Sequence, residues 1–179
     1  MKTLLIKSAI LFGVLAAILI AAQPSARAAG SDGIYDRLKV GTNHTLSGSW
    51  STIAGGSNNT ANVKFATIGG GEKNSVTGEH SVVAGGSLNS VTNEDSVIVG
   101  GEKNTNNAEY AFIGGGILNL QNDNYGVIGG GYGNIDKGYY RVIAGGYFNA
   151  LFNNGVAGGA GGFIGGADII RTPTLIPAL

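Results

Sequence analysis

A short pattern of apolar and small residues recurs along the chain at a constant spacing. A clear copy is the run Ser81-Val82-Val83-Ala84-Gly85-Gly86-Ser87-Leu88-Asn89, in which apolar residues precede a glycine pair. Seven glycine pairs follow one another with a period of 15, from Gly55-Gly56 to Gly145-Gly146. A fixed period held over so many copies indicates a repeat architecture, in which each repeat stacks on the next.

One position of the repeat accepts only isoleucine or valine. Its members are Ile53, Ile68, Val83, Ile98, Ile113, Ile128 and Ile143. Two residues earlier the side chain is small in every repeat except the last, which has Arg141. Because side chains alternate across a strand, both positions share one face, and we predict a buried face on a strand of about four residues. A helix is excluded, since each glycine pair would cost it roughly 2 kcal/mol.

An asparagine stands three residues after every glycine pair. The column comprises Asn59, Asn74, Asn89, Asn104, Asn119, Asn134 and Asn149. Stacked asparagines can form a structural ladder, in which each side-chain N–H bonds the carbonyl of the asparagine one repeat away. The alternative is that asparagine merely tolerates the left-handed backbone of a corner. Its presence in all seven repeats favours the ladder.

A second, weaker strand follows each asparagine, as in Asn74-Ser75-Val76, and its third residue is predicted to point inward in the early repeats. In later repeats that place holds Asn106, Gln121 and Asp136, and the inward assignment does not extend to them. Two short strands and two corners per repeat make a coil. The sequence therefore predicts an all-β fold, a single-stranded β-solenoid or β-roll of 15-residue coils.

The pattern divides the chain into consecutive segments. A polar N-terminal segment at 29–39 precedes solenoid repeats at 40–153, whose first turn, Val40-Gly41-Thr42-Asn43, is a worn copy. Residues 154–167 are rich in glycine and break the period of 15, so we expect the last coils to be shorter than the others or irregular. Residues 168–179 form an apolar tail. Because free tails are usually polar, we expect this one to dock on its own rod or on another subunit.

Residues 1–28 have the features of a signal peptide. Lys2 and Lys7 precede an apolar run at 9–22, which is shorter than the ~20 residues of a membrane span, and Ala26-Arg27-Ala28 suits a cleavage site. We therefore expect a secreted or cell-surface protein whose mature chain has no transmembrane segment. A retained membrane anchor is the alternative.

Composition removes several other classes. The chain has 33 glycines but no Gly-X-Y period and only 3 prolines, which excludes collagen. It has no cysteine, so neither disulfides nor thiol chemistry are expected. Without Lys2, Lys7 and Arg27, the 11 basic residues fall to 8 against 11 acidic ones, a net charge of −3. That balance gives no electrostatic footprint for nucleic acid.

The repeat resembles two known families. The Gly-x-x-Asn spacing, after phrases such as Ser81-Val82-Val83-Ala84 and Ser96-Val97-Ile98-Val99, resembles the left-handed β-roll of YadA-like trimeric autotransporter heads. Asn74-Ser75-Val76 and Asn89-Ser90-Val91 are similar to the ryegrass ice-binding β-roll. The resemblance spans about residues 40–149 and implies a left-handed coil. Here a glycine pair replaces the single glycine of the autotransporter repeat, and we expect neither that family's stalk nor its membrane anchor.

No motif indicates catalysis, a cofactor or a metal, and we do not expect an enzyme. His44 and His80 lack partners at metal-ligand spacing and are interpreted as surface corner residues. The run Gly70-Gly71-Glu72-Lys73 lacks the helix of a phosphate-binding loop. Four carboxylates are predicted to line one corner edge and keep it soluble. They are Glu79, Glu94, Asp95 and Glu109.

The candidate interface is apolar. The residue before the isoleucine column is predicted to point outward, and it is Thr52, Thr67, Val82, Val97, Phe112, Val127 or Val142. A tyrosine column and the tail extend this candidate interface, with Tyr110, Tyr125, Tyr140, Ile169, Ile170, Leu175 and Ile176. An apolar stripe on a secreted protein implies a partner. The alternatives are the opposite strand parity, which would bury the stripe, and ordinary cross-strand packing of the tyrosines.

Together these features favour a secreted structural or interaction protein that self-associates as a homo-oligomer, trimer or fibre. Adhesion to a surface or an extracellular matrix ligand is a further expectation. The alternative is an ice-binding protein, which needs a flat face of regularly spaced Thr, Ser or small apolar residues. The outward stripe starts with Thr52 and Thr67 but then loses threonine. A polysaccharide-active enzyme is disfavoured because no paired acids mark a cleft.

Overall fold

A computed structural model describes residues 37–152 and 163–165 of the chain. In these residues the backbone forms 17 short strands and no helix, arranged in two sheets. Successive coils lie side by side with all strand pairs parallel. The protein is therefore a β-solenoid of about eight turns, as the period of 15 predicts.

The strands alternate between the two sheets along the chain. The nine-stranded sheet contains β1 (Arg37–Lys39), β3 (Ser51–Ile53), β5 (Thr67–Ile68), β7 (Val82–Val83), β9 (Val97–Ile98), β11 (Phe112–Ile113), β13 (Val127–Ile128), β15 (Val142–Ile143) and β17 (Phe163–Ile164). The eight-stranded sheet contains β2 (Thr45–Leu46), β4 (Thr60–Ala61), β6 (Ser75–Val76), β8 (Ser90–Val91), β10 (Thr105–Asn106), β12 (Leu120–Gln121), β14 (Ile135–Lys137) and β16 (Ala150–Phe152). At a strand spacing of ~4.8 Å, the eight steps of the larger sheet span ~38 Å.

Each strand has two or three residues, fewer than the predicted four. The backbone turns left-handed just before each strand of the nine-stranded sheet from β3 to β15, as at Phe65 (φ 57°) and His80 (φ 56°). It turns again at the second glycine of each pair, such as Gly71 (φ 88°). These two corners leave room for only a short extended segment between them.

The ends of the stack depart from the regular period. Arg37 pairs with Ser51, a step one shorter than the period, because Gly41 alone stands where later coils have a glycine pair. The solenoid thus extends into the segment at 29–39, which the sequence pattern separates from the repeats. At the other end, Val142 pairs with Phe163, well beyond one period along the chain, so the regular period of 15 does not extend to β17.

The core is a row of aliphatic side chains between the two sheets. All seven members of the isoleucine and valine column, from Ile53 to Ile143, have no solvent-exposed surface. Facing them from the eight-stranded sheet are Ala61, Val76 and Val91, which are equally buried. The column just before the isoleucines is half-buried or exposed, so the outward parity of the stripe is correct. Burying this row in every coil supplies the hydrophobic free energy that no single coil could gain alone.

The two glycines of each pair have different roles. A Cβ atom on Gly86 would lie 2.1 Å from the carbonyl oxygen of Gly101 in the next coil, and the φ of Gly86 is +85°. Its partner Gly85 has open space around the Cβ position. Only the second glycine is therefore required by the packing of one coil on the next.

The described residues contain no helix long and apolar enough to cross a membrane. The predicted signal peptide at 1–28 and the tail at 168–179 lie outside the described residues. The tail's candidate interface residues Ile169, Ile170, Leu175 and Ile176 therefore lie outside them too.

Candidate functional site

The asparagine column forms a continuous hydrogen-bonded ladder inside the solenoid. The Oδ1 atom of Asn59 accepts the backbone N–H of Asn74 at 2.9 Å, and the same bond recurs in each coil up to Asn149. All seven side chains are buried. The ladder is structural, because its hydrogen bonds are made to the protein's own backbone and to neighbouring rungs.

The side-chain amides bond to glycine carbonyls in every coil, and the predicted bond to the neighbouring asparagine occurs in only some of the coils. The Nδ2 of Asn89 donates to the carbonyl of Gly85 in its own coil and to that of Gly101 in the next, both at 3.0 Å. Amide-to-amide bonds occur in three of the coils, with Nδ2 of Asn104, Asn119 and Asn134 as donors. The asparagine oxygen already accepts a backbone N–H, and the inward-facing corner carbonyls need a donor.

His44 occupies the first rung of this ladder. Its Nδ1 accepts the backbone N–H of Asn59 at 3.1 Å, and its Nε2 lies 2.9 Å from the carbonyl oxygen of Val40. The side chain is buried, so the prediction of a surface residue is wrong. These partners place the proton on Nε2, where it donates to Val40. The signal in the sequence was its position, one period before Asn59.

Polar side chains replace the aliphatic row in the last coils of the eight-stranded sheet. Asn106, Gln121 and Asp136 point inward and have no exposed surface, so the inward column continues where the sequence analysis stopped. Gln121 Nε2 donates to Asp136 Oδ2 at 3.0 Å and to the carbonyl of Asp123 at 2.8 Å. A Cβ on Gly126 would lie 2.0 Å from Gln121 Nε2, so the glycine there makes room for the longer side chain.

The buried carboxyl of Asp136 is the most perturbed acid in the described part of the chain. Burial raises the pKa of Asp136 to about 6, against the lowering effects of hydrogen bonds from Gln121 and Gly138 and of the Arg141 charge. Asp123 acts in the raising direction. An interior acid with these neighbours couples the stability of the last coils to pH.

The outward residues of the nine-stranded sheet form an uncharged surface, here called the apolar face. It comprises Thr52, Thr67, Val82, Val97, Phe112, Val127, Val142 and Phe163. Two residues further along each coil, the outward position is Ala, Gly or Val, with Val99 the largest. Phe112 and Phe163 are exposed by 38% and 72%. The face therefore runs through eight consecutive strands without a charged group.

The outward residues of the eight-stranded sheet are different, and their first five coils form what we call the hydroxyl face. It comprises Thr45, Ser47, Thr60, Asn62, Ser75, Thr77, Ser90, Thr92, Thr105 and Asn107. The two columns are half-exposed or exposed, and Thr92 Oγ1 bonds Asn107 Oδ1 at 3.0 Å. The sequence signal for this face is the run of uncharged polar residues one and three places after the asparagine column, which the predicted outward stripe does not include.

An exposed corner carries a third feature, here called the aromatic column. Its members are Trp50, Phe65, His80, Asp95, Tyr110, Tyr125 and Tyr140, each with positive φ. The three predicted tyrosines stack with centroids 5.2 and 4.8 Å apart, and Trp50, Phe65 and His80 form an equivalent stack. The predicted tyrosine column is therefore the second half of a longer one.

The described residues show no cluster of side chains arranged for catalysis. No group of three or more His, Asp or Glu there could hold a metal ion. Exposed pairs Glu72–Lys73 and Glu102–Lys103, at 2.8 Å, are neighbours along the chain and contribute little to stability. Three surfaces of the described residues are candidate sites of interaction: the apolar face, the hydroxyl face and the aromatic column.

Neither a scan against protein-family models nor a search of curated proteins finds a match to this chain.

Proposed function

We propose that the protein is a secreted structural solenoid that self-associates through its apolar face, as a trimer or a fibre. The observation that carries the proposal is the uninterrupted, uncharged face from Thr52 to Phe163. A contiguous exposed apolar surface is unfavourable in water, and association removes it.

A second copy of the chain suits this face better than an unrelated partner. The side chains repeat at the strand spacing of ~4.8 Å along the rod, so two identical rods match one another in register over their full length. The first four members are Thr and Val, which are β-branched and stack without large protrusions. The resemblance to YadA-like trimeric heads supports a trimer, and unpaired strand edges at the ends of a solenoid support a fibre.

Sedimentation velocity of the full chain tests the proposal. We expect a multiple of the monomer mass for the wild type and monomers for Val97→Lys/Val127→Lys, because two lysines would place charge in the contact. The control variant Ser75→Lys/Thr105→Lys adds the same charge to the opposite sheet and should leave the association unchanged. Electron microscopy then distinguishes trimers from fibres. A wild type that stays monomeric at its highest soluble concentration contradicts the proposal.

Export is proposed from the sequence of residues 1–28. The mass of the extracellular protein should correspond to a chain that starts at Ala29. Recovery of the full-length chain from the membrane fraction would favour a retained anchor. Adhesion to a surface or a matrix ligand is proposed only as a consequence of display outside the cell.

Ice binding is a second candidate, favoured by the hydroxyl face. Its threonine, serine and asparagine side chains repeat at one strand spacing over five coils and carry no charge. The resemblance to the ryegrass ice-binding β-roll supports the same candidate. A thermal hysteresis assay decides: activity in the wild type that disappears in Ser75→Lys/Thr105→Lys, but not in Val97→Lys/Val127→Lys, would assign this function to the hydroxyl face.

A further inference from the structure

The aromatic column is interrupted once, at Asp95. Before the interruption, Trp50, Phe65 and His80 stack with centroids 5.2 and 4.8 Å apart. After it, the three tyrosines stack with the same spacing, beginning at Tyr110. The column is therefore a ring stack from which one ring is missing.

The missing ring leaves a face of Tyr110 open to solvent. Rings covered on both sides, Phe65 and Tyr125, are exposed by 42% and 43%. Rings at the outer ends of the column, Trp50 and Tyr140, are exposed by 55% and 59%. Tyr110 is exposed by 52%, close to the value for an end ring, although it lies in the middle of the solenoid.

The opening has the thickness of one planar group. Stacked rings touch at a perpendicular distance of roughly 3.5 Å, so the absence of one ring leaves roughly 7 Å between the faces of His80 and Tyr110. The Asp95 side chain is shorter than a ring and lies at the base of the opening, with Oδ1 3.8 Å from His80 Nδ1. The outer part of the opening is bounded by two ring faces.

The surroundings of the opening are negatively charged. Asp95 is the largest cause of the raised pKa of Tyr110, and Glu109 and Glu94 raise the pKa further. Glu79 lies one coil before Glu94 in the same column, and Lys64 lies one coil before Glu79. An anion is disfavoured at this place, and a cation is favoured.

We propose that the slot between His80 and Tyr110, with Asp95 at its base, binds a planar organic cation. A guanidinium group or a small aromatic cation can stack on both rings and pair with the carboxylate at once. A lysine ammonium has the same charge but is not planar and can use only part of the site. The ligand is either an arginine side chain of a partner protein or a free aromatic cation, and both share this chemistry.

The test uses the isotope-labelled full chain and NMR signals of the His80 and Tyr110 rings. The probes are N-acetyl-arginine methylamide, N-acetyl-lysine methylamide and proflavine, a planar aromatic cation. We expect saturable shifts with a dissociation constant on the order of millimolar, at least threefold tighter for the arginine probe than for the lysine probe. Binding of only the arginine probe identifies a protein side chain as the occupant, and binding of only proflavine identifies a free cation. Measurable and equal affinity for the lysine and arginine probes, or no binding of any of the three probes, overturns the proposal.

Two variants of Asp95 separate the slot from the general negative charge. Asp95→Tyr restores the missing ring and should abolish binding of the probes. Tyrosine tolerates the left-handed backbone at this position, since Tyr110 has the same φ of 54°. Asp95→Asn keeps the slot but removes one charge, and should weaken binding about threefold. The control Glu94→Gln removes a charge outside the slot and should change affinity less than Asp95→Asn does. Wild-type affinity in Asp95→Tyr shows that the probes bind elsewhere and contradicts the slot.

Discussion

At the scale of single residues, the second glycine of each pair and the following asparagine form one device. The second glycine adopts a left-handed backbone and lets the next coil approach closely. This turn directs the carbonyl of the glycine inward. The asparagine amide then satisfies the carbonyl of the first glycine in its own coil and that of the second glycine in the next. This pairing explains why Gly-Gly-x-x-Asn recurs without a change in all seven repeats.

Alanine substitutions at Gly85 and Gly86 should separate the roles of the paired glycines. Gly86→Ala places a Cβ 2.1 Å from a carbonyl oxygen at a φ of +85°, and we expect a loss of roughly 2 kcal/mol or more in the free energy of unfolding. Gly85→Ala meets open space and should change it by less than about 0.5 kcal/mol. Urea denaturation of both variants measures the difference. Equal losses would show that the first glycine is also under constraint.

Replacing one ladder asparagine should be costly. Asn89→Ala leaves the backbone N–H of Asn104 and the carbonyl of Gly85 without this partner, whereas the carbonyl of Gly101 keeps the backbone N–H of Ser87. At about 1 kcal/mol or more for each of the two orphaned groups, we expect a loss of about 2 kcal/mol in the free energy of unfolding. The exposed Asn62 supplies the control, since Asn62→Ala should be close to neutral. A neutral Asn89→Ala would mean that water can replace the ladder.

Position in the period, more than residue type, would have identified His44. By residue type it is an isolated histidine, because the other members of the column are all asparagines. A neutral imidazole nitrogen accepts a backbone N–H as an amide oxygen does. Functional equivalence of that kind is visible only once the partner atoms are known.

At the scale of strands, alternation predicted the inward and outward sides where the inward residue is apolar. It failed at β10, β12 and β14, whose inward residues Asn106, Gln121 and Asp136 are polar. Their burial depends on partners outside the strand, such as the carbonyl of Asp123 and the space left by Gly126 in the following turn, and Asp136 in the next coil. The pattern within a strand cannot reveal such partners, because they lie in a turn or in a neighbouring coil.

The buried Asp136 should make stability depend on pH. Its pKa is about 6 in the folded protein against the ordinary 3.8, so the native state binds more protons than the unfolded chain between these values. The free energy of unfolding should therefore fall as the pH rises from about 4 to about 6, by on the order of 2 kcal/mol, and this contribution should be flat above.

Denaturant titrations across this pH range, compared with Asp136→Asn, measure that contribution. The variant cannot ionise at this position and should lack this part of the pH dependence. Since exposed carboxylates titrate in both proteins, the difference between the two curves isolates Asp136. Parallel curves would show that the carboxyl is solvated in solution.

At the scale of the whole molecule, the period of 15 was sufficient to predict a solenoid, its core row and its outward parity. The sequence did not reveal the shortened first coil, which pairs Arg37 with Ser51, or the long step from Val142 to Phe163 in β17, because the repeat pattern is broken there. The hydroxyl face could also be predicted from the sequence, because its Thr, Ser and Asn residues recur at the period of 15. The apolar face, the hydroxyl face and the aromatic column are all formed by residues that lie outside the core.

Stability should vary along the rod. Central coils have a neighbour on both sides, whereas end coils have one, so local opening is expected to start at the ends. Native-state hydrogen exchange should show the slowest amides in strands such as β7 and β9, and faster exchange in β1 and β16. Uniform protection along the rod would indicate that all coils open together.

The polar interior of the last coils has a consequence for how such a chain can change its length. Excising residues 76–90 joins Ser75 to Val91, and the inward columns still meet neighbours of the same kind, since Ile68 then lies next to Ile98 and Asn74 next to Asn104. Excising residues 121–135 instead removes Gln121, whose amide donates to the buried carboxyl of Asp136. Unequal recombination between repeats can therefore shorten or extend the first half of the solenoid in units of one coil. In the second half, loss of a repeat separates buried polar side chains that are hydrogen-bond partners.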